Sequence, residues 1–276
     1  MNVSELEATL INIAGNGGVV RAAVAAHDYE TGQTVGWNAG EWFHAASTIK
    51  VAVLLAVFKA VEEGRLRLDD PLHVRNRFMS VGDGLPYRLQ RGRDGDEEVH
   101  QRIGRTMRIR ELAHRMITVS SNLATNLLLD LIRLEYAQQV LHDAGITGIH
   151  LKRGVEDSVA HEMGINNEVT AAGLVHLFRV IQEGQFISPE SREGMLGMLF
   201  DQKFNAMLPR KLPQGTRVAH KTGEISTVCH DTGLFFLQNR QPYAVAILTE
   251  VPADLTGRQA TVAELSEAVY ACLSGR

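Results

Sequence analysis

Two cysteines, Cys229 and Cys272, in a chain of 276 residues are too few for a disulfide framework and lack the spacing of a zinc knuckle. Two reduced, half-buried thiols are expected, with a single bridge between them left open. A basic excess is also missing. Twenty-eight Lys and Arg stand against 32 Asp and Glu, a formal net charge of −4, which supplies no field to hold nucleic-acid phosphates or anionic lipid. Long apolar runs are absent too: the longest, Val51 to Phe58, falls far short of the ~20 residues that span a bilayer and belongs to a buried helix. The amino terminus, Met-Asn-Val-Ser-Glu-Leu-Glu, carries acids where a secretory signal needs bases. The chain as given therefore reads as cytoplasmic, or as periplasmic or secreted if a leader has been removed. Eleven histidines are scattered with none inside four positions of another, so no metal and no other cofactor is expected.

With 45% apolar and 22% charged residues, the composition is that of a globular chain with a substantial core. Ser4 can cap a first helix through Ile13. Val19 to His27 and Thr34 to Trp37 read as strands around a turn at Glu30-Thr31-Gly32. From Ser47 to Glu63 the pattern is helical and apolar on nearly every face, closed by Gly64, which predicts a central helix. Arg75 to Gly104, rich in Gly, Asp, Arg and Glu, reads as a solvated excursion. Helical periods return over 109–117, 122–131, 136–143, 171–183 and 188–200. Strand periods follow over 217–221, 233–237 and 244–250, and a last helix over 261–273. The pattern predicts an α+β fold as a single domain, 1–276. One antiparallel sheet is assembled from both termini (1–46 and 211–276) and flanked by helices, with an all-helical lobe inserted over about 47–210.

Three short motifs carry candidate chemistry. Ser47-Thr48-Ile49-Lys50 sets a hydroxyl and an amine three residues apart at a helix start, on one face. A lysine desolvated by apolar walls loses its proton more readily and can take one from the serine, whose place at a helix N-terminus favours the alkoxide. Alone, the pair more often describes an N-cap serine and a surface lysine. Ser120-Ser121-Asn122 sits at a joint between two helices, where a serine is ordinarily a cap. His220-Lys221-Thr222-Gly223 ends a strand, where lysine is ordinarily an edge charge and glycine a turn. The three in this order and context form the set found in serine β-lactamases and penicillin-binding proteins.

On Phe43 to Lys50, Met116 to Leu128 and Val218 to Gly223 the chain resembles class A β-lactamase, over nearly its whole length. The resemblance implies a five-stranded antiparallel sheet with a helical lobe. It implies Ser47 as the acylated nucleophile, Lys50 as its base, Ser120 as proton relay to the leaving nitrogen, Asn122 as a ligand for the substrate amide, and Lys221 and Thr222 as carboxylate binders. Gly223 belongs to the same substrate-binding strand, and the backbone N–H groups of Ser47 and Glu224 are candidates for holding the oxyanion that acyl transfer builds. The partner implied is a small molecule, a β-lactam or peptide-like amide, acting on a monomer.

Departures from that family bear on turnover. Along Arg153 to Thr170, Arg153 and Glu168 fit the ends of the family's clamped loop. Counted without gaps, its catalytic glutamate falls on Val155 and its asparagine on Val159, while Glu156 comes one residue late. A small backbone adjustment would bring the Glu156 carboxylate to the hydrolytic water; a solvent-facing loop acid is the other reading. The middle residue of the second motif is Ser121 where the family commonly has Asp. Glu224 sets an acid next to Lys221, which would weaken binding of anionic β-lactams. His230 is a candidate for the family's downstream carboxylate-binding base. Two functions follow: a β-lactamase-related serine hydrolase acting through acyl-Ser47 on a β-lactam, a D-alanyl-type amide or an ester, or a non-turnover penicillin-binding sensor that acylates and stalls.

Overall fold

The computed structural model describes residues 3–275. Its chain divides into two compact units, one comprising residues 1–48, 168–179 and 204–276, the other 49–167 and 180–203.

The first unit is built on a five-stranded antiparallel sheet in the order Arg217–Ile225, Val228–Phe236, Tyr243–Glu250, Arg21–Asp28, Thr34–Trp37. Strands from both ends of the chain meet at the register Ala25↔Ala246, as the alternation at the two termini predicted. Helix α1 (Val3–Asn16) and the last helix, Arg258–Leu273, pack together against this sheet. Leu6, Leu10, Val24, Val245, Ile247, Leu265 and Val269 form the centre of that core, all essentially inaccessible to water. Cys229 and Cys272 are free and both buried rather than half-buried, and burial pushes the Cys229 thiol up to about 12, so neither is a nucleophile near neutrality.

In the second unit, helix α2 (Lys50–Glu62) is the hub. Its residues from Lys50 to Phe58 are all buried, which an all-round apolar helix requires. The helices 109–118, 122–132, 134–143 and 189–200 pack on it. Gly64, at φ +70°, ends it, its N–H donating to the Val61 carbonyl. Among the described residues no helix is long and apolar enough to cross a membrane.

The stretch 75–104 is exposed over most of its length, as expected of a solvated excursion, but it is anchored at a few points: Phe78, Leu89 and Val99 are buried, the Asn76 side chain bonds both backbone groups of Leu89 (2.8 and 2.9 Å), and Asp96 is buried against Arg115 at 2.6 Å. A short helix, Glu97–Gln101, is capped by Asp96, whose carboxylate accepts from Glu98 N–H at 2.9 Å. The anchors escape a reading of charge density because some of its carboxylates serve helix starts and the half-buried Arg115 guanidinium, partners remote in sequence.

Candidate active site

In the sheet unit the chain reaches Ser47 through a tight turn. Ala46 is left-handed at φ +44°, its N–H donates to His44 Nδ1 at 3.0 Å, and Ala45 O accepts from both the Thr48 N–H and hydroxyl, at 3.2 and 2.6 Å. A 3-10 turn, Ala46–Ile49, then runs without a break into α2, so Ser47 lies half-buried at the head of a continuous helical path with Lys50 three residues on. The Lys-Thr-Gly strand, 217–225, lies against this turn: a Cβ placed on Gly223 would stand 3.0 Å from Thr48 N and 3.2 Å from Ser47 N. Glycine there lets one backbone approach the other's amides, the arrangement an oxyanion pocket needs. Lys221 and Thr222 are buried, and the Lys221 ammonium donates to the Thr222 carbonyl at 2.9 Å. Behind them His220 meets the buried Asp231 at 2.9 Å, and Asp231 also accepts from Leu208 N–H at 3.1 Å, fastening the strand from its far side.

Two expectations for this unit are corrected. His230 is no carboxylate-binding base: it is fully buried, its Nε2–H donates to the His44 carbonyl at 3.0 Å, and its Nδ1 accepts from the Thr249 N–H at 3.0 Å. Burial lowers it to about 4, so it is neutral and braces the turn before Ser47. Glu224 is no uncompensated acid either. Its carboxylate meets the Arg258 guanidinium at 2.8 Å and the Gln259 amide at 2.8 Å, while Arg258 also donates to the carbonyls of Ile225 (3.1 Å) and Ser226 (2.9 Å). Its charge is offset within the hairpin, and the repulsion expected for anionic β-lactams loses its cause.

In the helical unit, Lys50 is fully buried, with its ammonium facing three acceptors: the Ser120 carbonyl (2.7 Å), the Ser120 hydroxyl (3.1 Å) and Asn122 Oδ1 (2.7 Å). Desolvation lowers it from 10.5 to about 7, against the opposing pull of Asp94 and Glu156. The surface-lysine reading is thereby excluded. Ser120 is left-handed at φ +58°, and Ser121 caps the helix 122–132 through Ala124 N–H at 3.2 Å.

Glu156 joins this cluster. Its backbone is left-handed at φ +57°, and Oε1 accepts from Asn122 Nδ2 at 2.7 Å. Asn122 thus touches both the lysine and the carboxylate. The residue before it is held by Asn126, whose side chain accepts from Val155 N–H (2.8 Å) and donates to Val155 O (2.9 Å). Gly154 permits that grip, since a Cβ there would lie 2.5 Å from the Tyr87 hydroxyl and 3.0 Å from Asn126 Oδ1. Asp157 follows, accepting from the Ser80 hydroxyl (2.7 Å) and Val81 N–H (3.0 Å). With the peptide pinned on either side, Glu156 is held in a left-handed conformation that a non-glycine residue adopts only under constraint from its surroundings. Val159 is half-buried on the helix Ser158–Glu162, and Asn167 ties the start of the loop by accepting from Arg153 N–H at 3.0 Å.

Asp94, Asn126, Tyr87 and Arg258 are the site-forming residues that motif reading missed. Only Asn126 left a trace: it follows Asn122 by four, one helical turn along the same face.

One unit carries the Ser47 turn against a Lys-Thr-Gly strand and the other a desolvated lysine bonded to a Ser-x-Asn turn, the residue types that serine acyl transfer uses. The family model described as "Beta-lactamase enzyme family" matches residues 4–273, and the chain belongs to that family. Among curated proteins it is similar to β-lactamase BRO-1 of Moraxella catarrhalis, 23% identical over 227 residues, covering 82% of this chain and 69% of that one. Among solved structures it resembles a PBP-A mutant described as an acyl-enzyme complex with penicillin G (26% identity, 100% of this chain and 98% of the other, TM-score 0.84). A β-lactamase from Sphaerobacter thermophilus shares the fold at 24% identity, the same coverages and TM-score 0.84.

Proposed function

We propose that the chain hydrolyses β-lactams through an acyl-Ser47 intermediate. The observation that carries this reading is the buried Lys50, lowered to about 7 and bonded to Ser120 and Asn122: a lysine so placed is half-deprotonated near neutrality and can act as a base. Ser47 Oγ attacks the lactam carbonyl and loses its proton to Lys50. The tetrahedral oxyanion is held by the N–H groups of Ser47 and Glu224. Collapse breaks the C–N bond, and Ser120 passes a proton to the leaving nitrogen. Asn122 orients the substrate amide, while Lys221 and Thr222, with Gly223 admitting the close approach, receive the substrate carboxylate.

Deacylation is assigned to Glu156. Its bond to Asn122 and its charge beside Lys50 support a carboxylate able to activate water, and favour turnover over a stalled sensor. Mass spectrometry of the protein mixed with a chromogenic β-lactam tests the whole sequence. A transient adduct on Ser47, absent from Ser47→Ala, with continuous release of hydrolysed product is expected. An adduct that persists for hours would instead establish the covalent sensor.

A further inference from the structure

A carboxylate outside the three motifs governs the second of them. Asp94 lies in the 75–104 stretch, and its side chain is wholly shielded from solvent. One oxygen accepts from Asn122 N–H at 2.9 Å, the other from Leu123 N–H at 2.8 Å. With Ser121 Oγ on Ala124 N–H (3.2 Å) and Ser121 O on Thr125 N–H (3.2 Å), the first turn of the helix 122–132 has a partner for each of its donors, two of them supplied by Asp94. The same carboxylate accepts from Asp96 N–H at 3.1 Å and faces His100 Nε2 at 3.1 Å.

The position matters because of what the turn presents on its other side. Ser120 O, Ser120 Oγ and Asn122 Oδ1 surround the Lys50 ammonium, and Ser120 holds a left-handed backbone that a non-glycine residue adopts only under constraint from its surroundings. We propose that Asp94 is a positioning residue for acylation, its carboxylate holding in place the Ser120–Asn122 turn whose oxygens receive the Lys50 ammonium. The inference rests on the assignment of Lys50 as the base for Ser47.

The charged and titratable groups around the cluster are few. Asp94 and Glu156 act on Lys50, His100 faces Asp94, and Asp96 is paired behind it with Arg115, which also meets Glu98. Asp94 favours the ammonium, so replacing it by a neutral residue should let Lys50 deprotonate at lower pH. A purely structural carboxylate would, on removal, reduce activity at every pH alike.

The experiment measures single-turnover acylation by a chromogenic β-lactam from pH 5 to 9 for the full-length parent, Ser47→Ala and Asp94→Asn, with circular dichroism confirming the fold. The parent must first be labelled at Ser47 and Ser47→Ala must not; failure there retires the function, not Asp94. With labelling secured, Asp94→Asn is expected to move the acylation midpoint down by about 1 pH unit and to lower the limiting rate by roughly tenfold or more, with substrate affinity little changed. A midpoint equal to the parent's would overturn the inference whatever the rate. If the asparagine amide opposing two N–H groups prevents folding, Asp94→Ser, smaller and still an acceptor, is read by the same criterion.

Discussion

The Lys-Thr-Gly strand and the loop around Glu156 reach their geometry by different routes. The strand is regular: residues 217–225 pair in unbroken antiparallel register with 228–236, and the placement of Lys221, Thr222 and Gly223 follows from ladder geometry. The loop has no ladder. Its shape depends on a left-handed Glu156, on Asn126 gripping the Val155 peptide, on a glycine without room for a methyl, and on Asp157 tied to Ser80. Regular backbone tolerates side-chain change because its hydrogen bonds are its own, whereas a loop held by side chains inherits the fragility of each of them. Acylation is assigned to motif residues at the helix start and on the strand, deacylation to the loop, so damage should separate the two half-reactions.

The largest expected effect falls on Lys50, which sets the acylation side of that comparison. Lys50→Met should slow acylation by ~10³-fold or more, since base and positive charge are both lost, and stopped-flow burst measurements would read it. The same change bears on stability with a definite sign. The folded state holds Lys50 at about 7 against 10.5 when unfolded, so between those values the unfolded chain binds more protons and the native protein gains stability as pH rises. Lys50→Met removes that dependence, and the denaturant midpoint should rise from pH 7 to pH 10 in the parent but not in the variant.

Next comes Glu156→Gln, which should leave the burst intact and slow deacylation by ~10²–10⁴. Equal deacylation constants for parent and variant would retire Glu156 and with it the division of the half-reactions between strand and loop. A milder probe of the loop is Gly154→Ala. The added methyl must displace the Tyr87 hydroxyl or Asn126, at a cost of about 1–3 kcal/mol, and deacylation should fall more than acylation. Thermal unfolding and burst kinetics on one preparation measure both.

The smallest effect is expected at the strand. Arg258→Ala exposes the Glu224 charge, and the KM for a carboxylate-bearing β-lactam should rise by roughly three- to tenfold. A neutral ester substrate should show no such rise; an equal increase for both would mean that Arg258 shapes the hairpin and leaves the charge unaltered.

What the sequence made legible follows the same division. Period and order were enough for the sheet, the central helix and the three motifs, because each arises from contacts near in sequence or repeated along an element. Asp94 was hidden in a run of Arg, Gly, Asp and Glu, and its burial is decided by a helix that begins 28 residues later. His230 was read as a base from its place in a motif order, but its role is set by a carbonyl 186 residues earlier. Glu224 looked like an exposed acid because Arg258, its partner, belongs to the last helix. Side chains whose environment is assembled from distant segments carry no local signal, and these were the ones misjudged.

The fully desolvated Lys50 also has a meaning for laboratory evolution. An amine shut away from water and bonded instead to Ser120 and Asn122 is held there at a cost in desolvation, so a search that rewards heat resistance alone would find many replacements at this position before it found improvements elsewhere. Thermostable libraries of this protein should therefore be screened with a turnover step at every round. Without that step, selection would drift towards a sturdier fold that had discarded its own base.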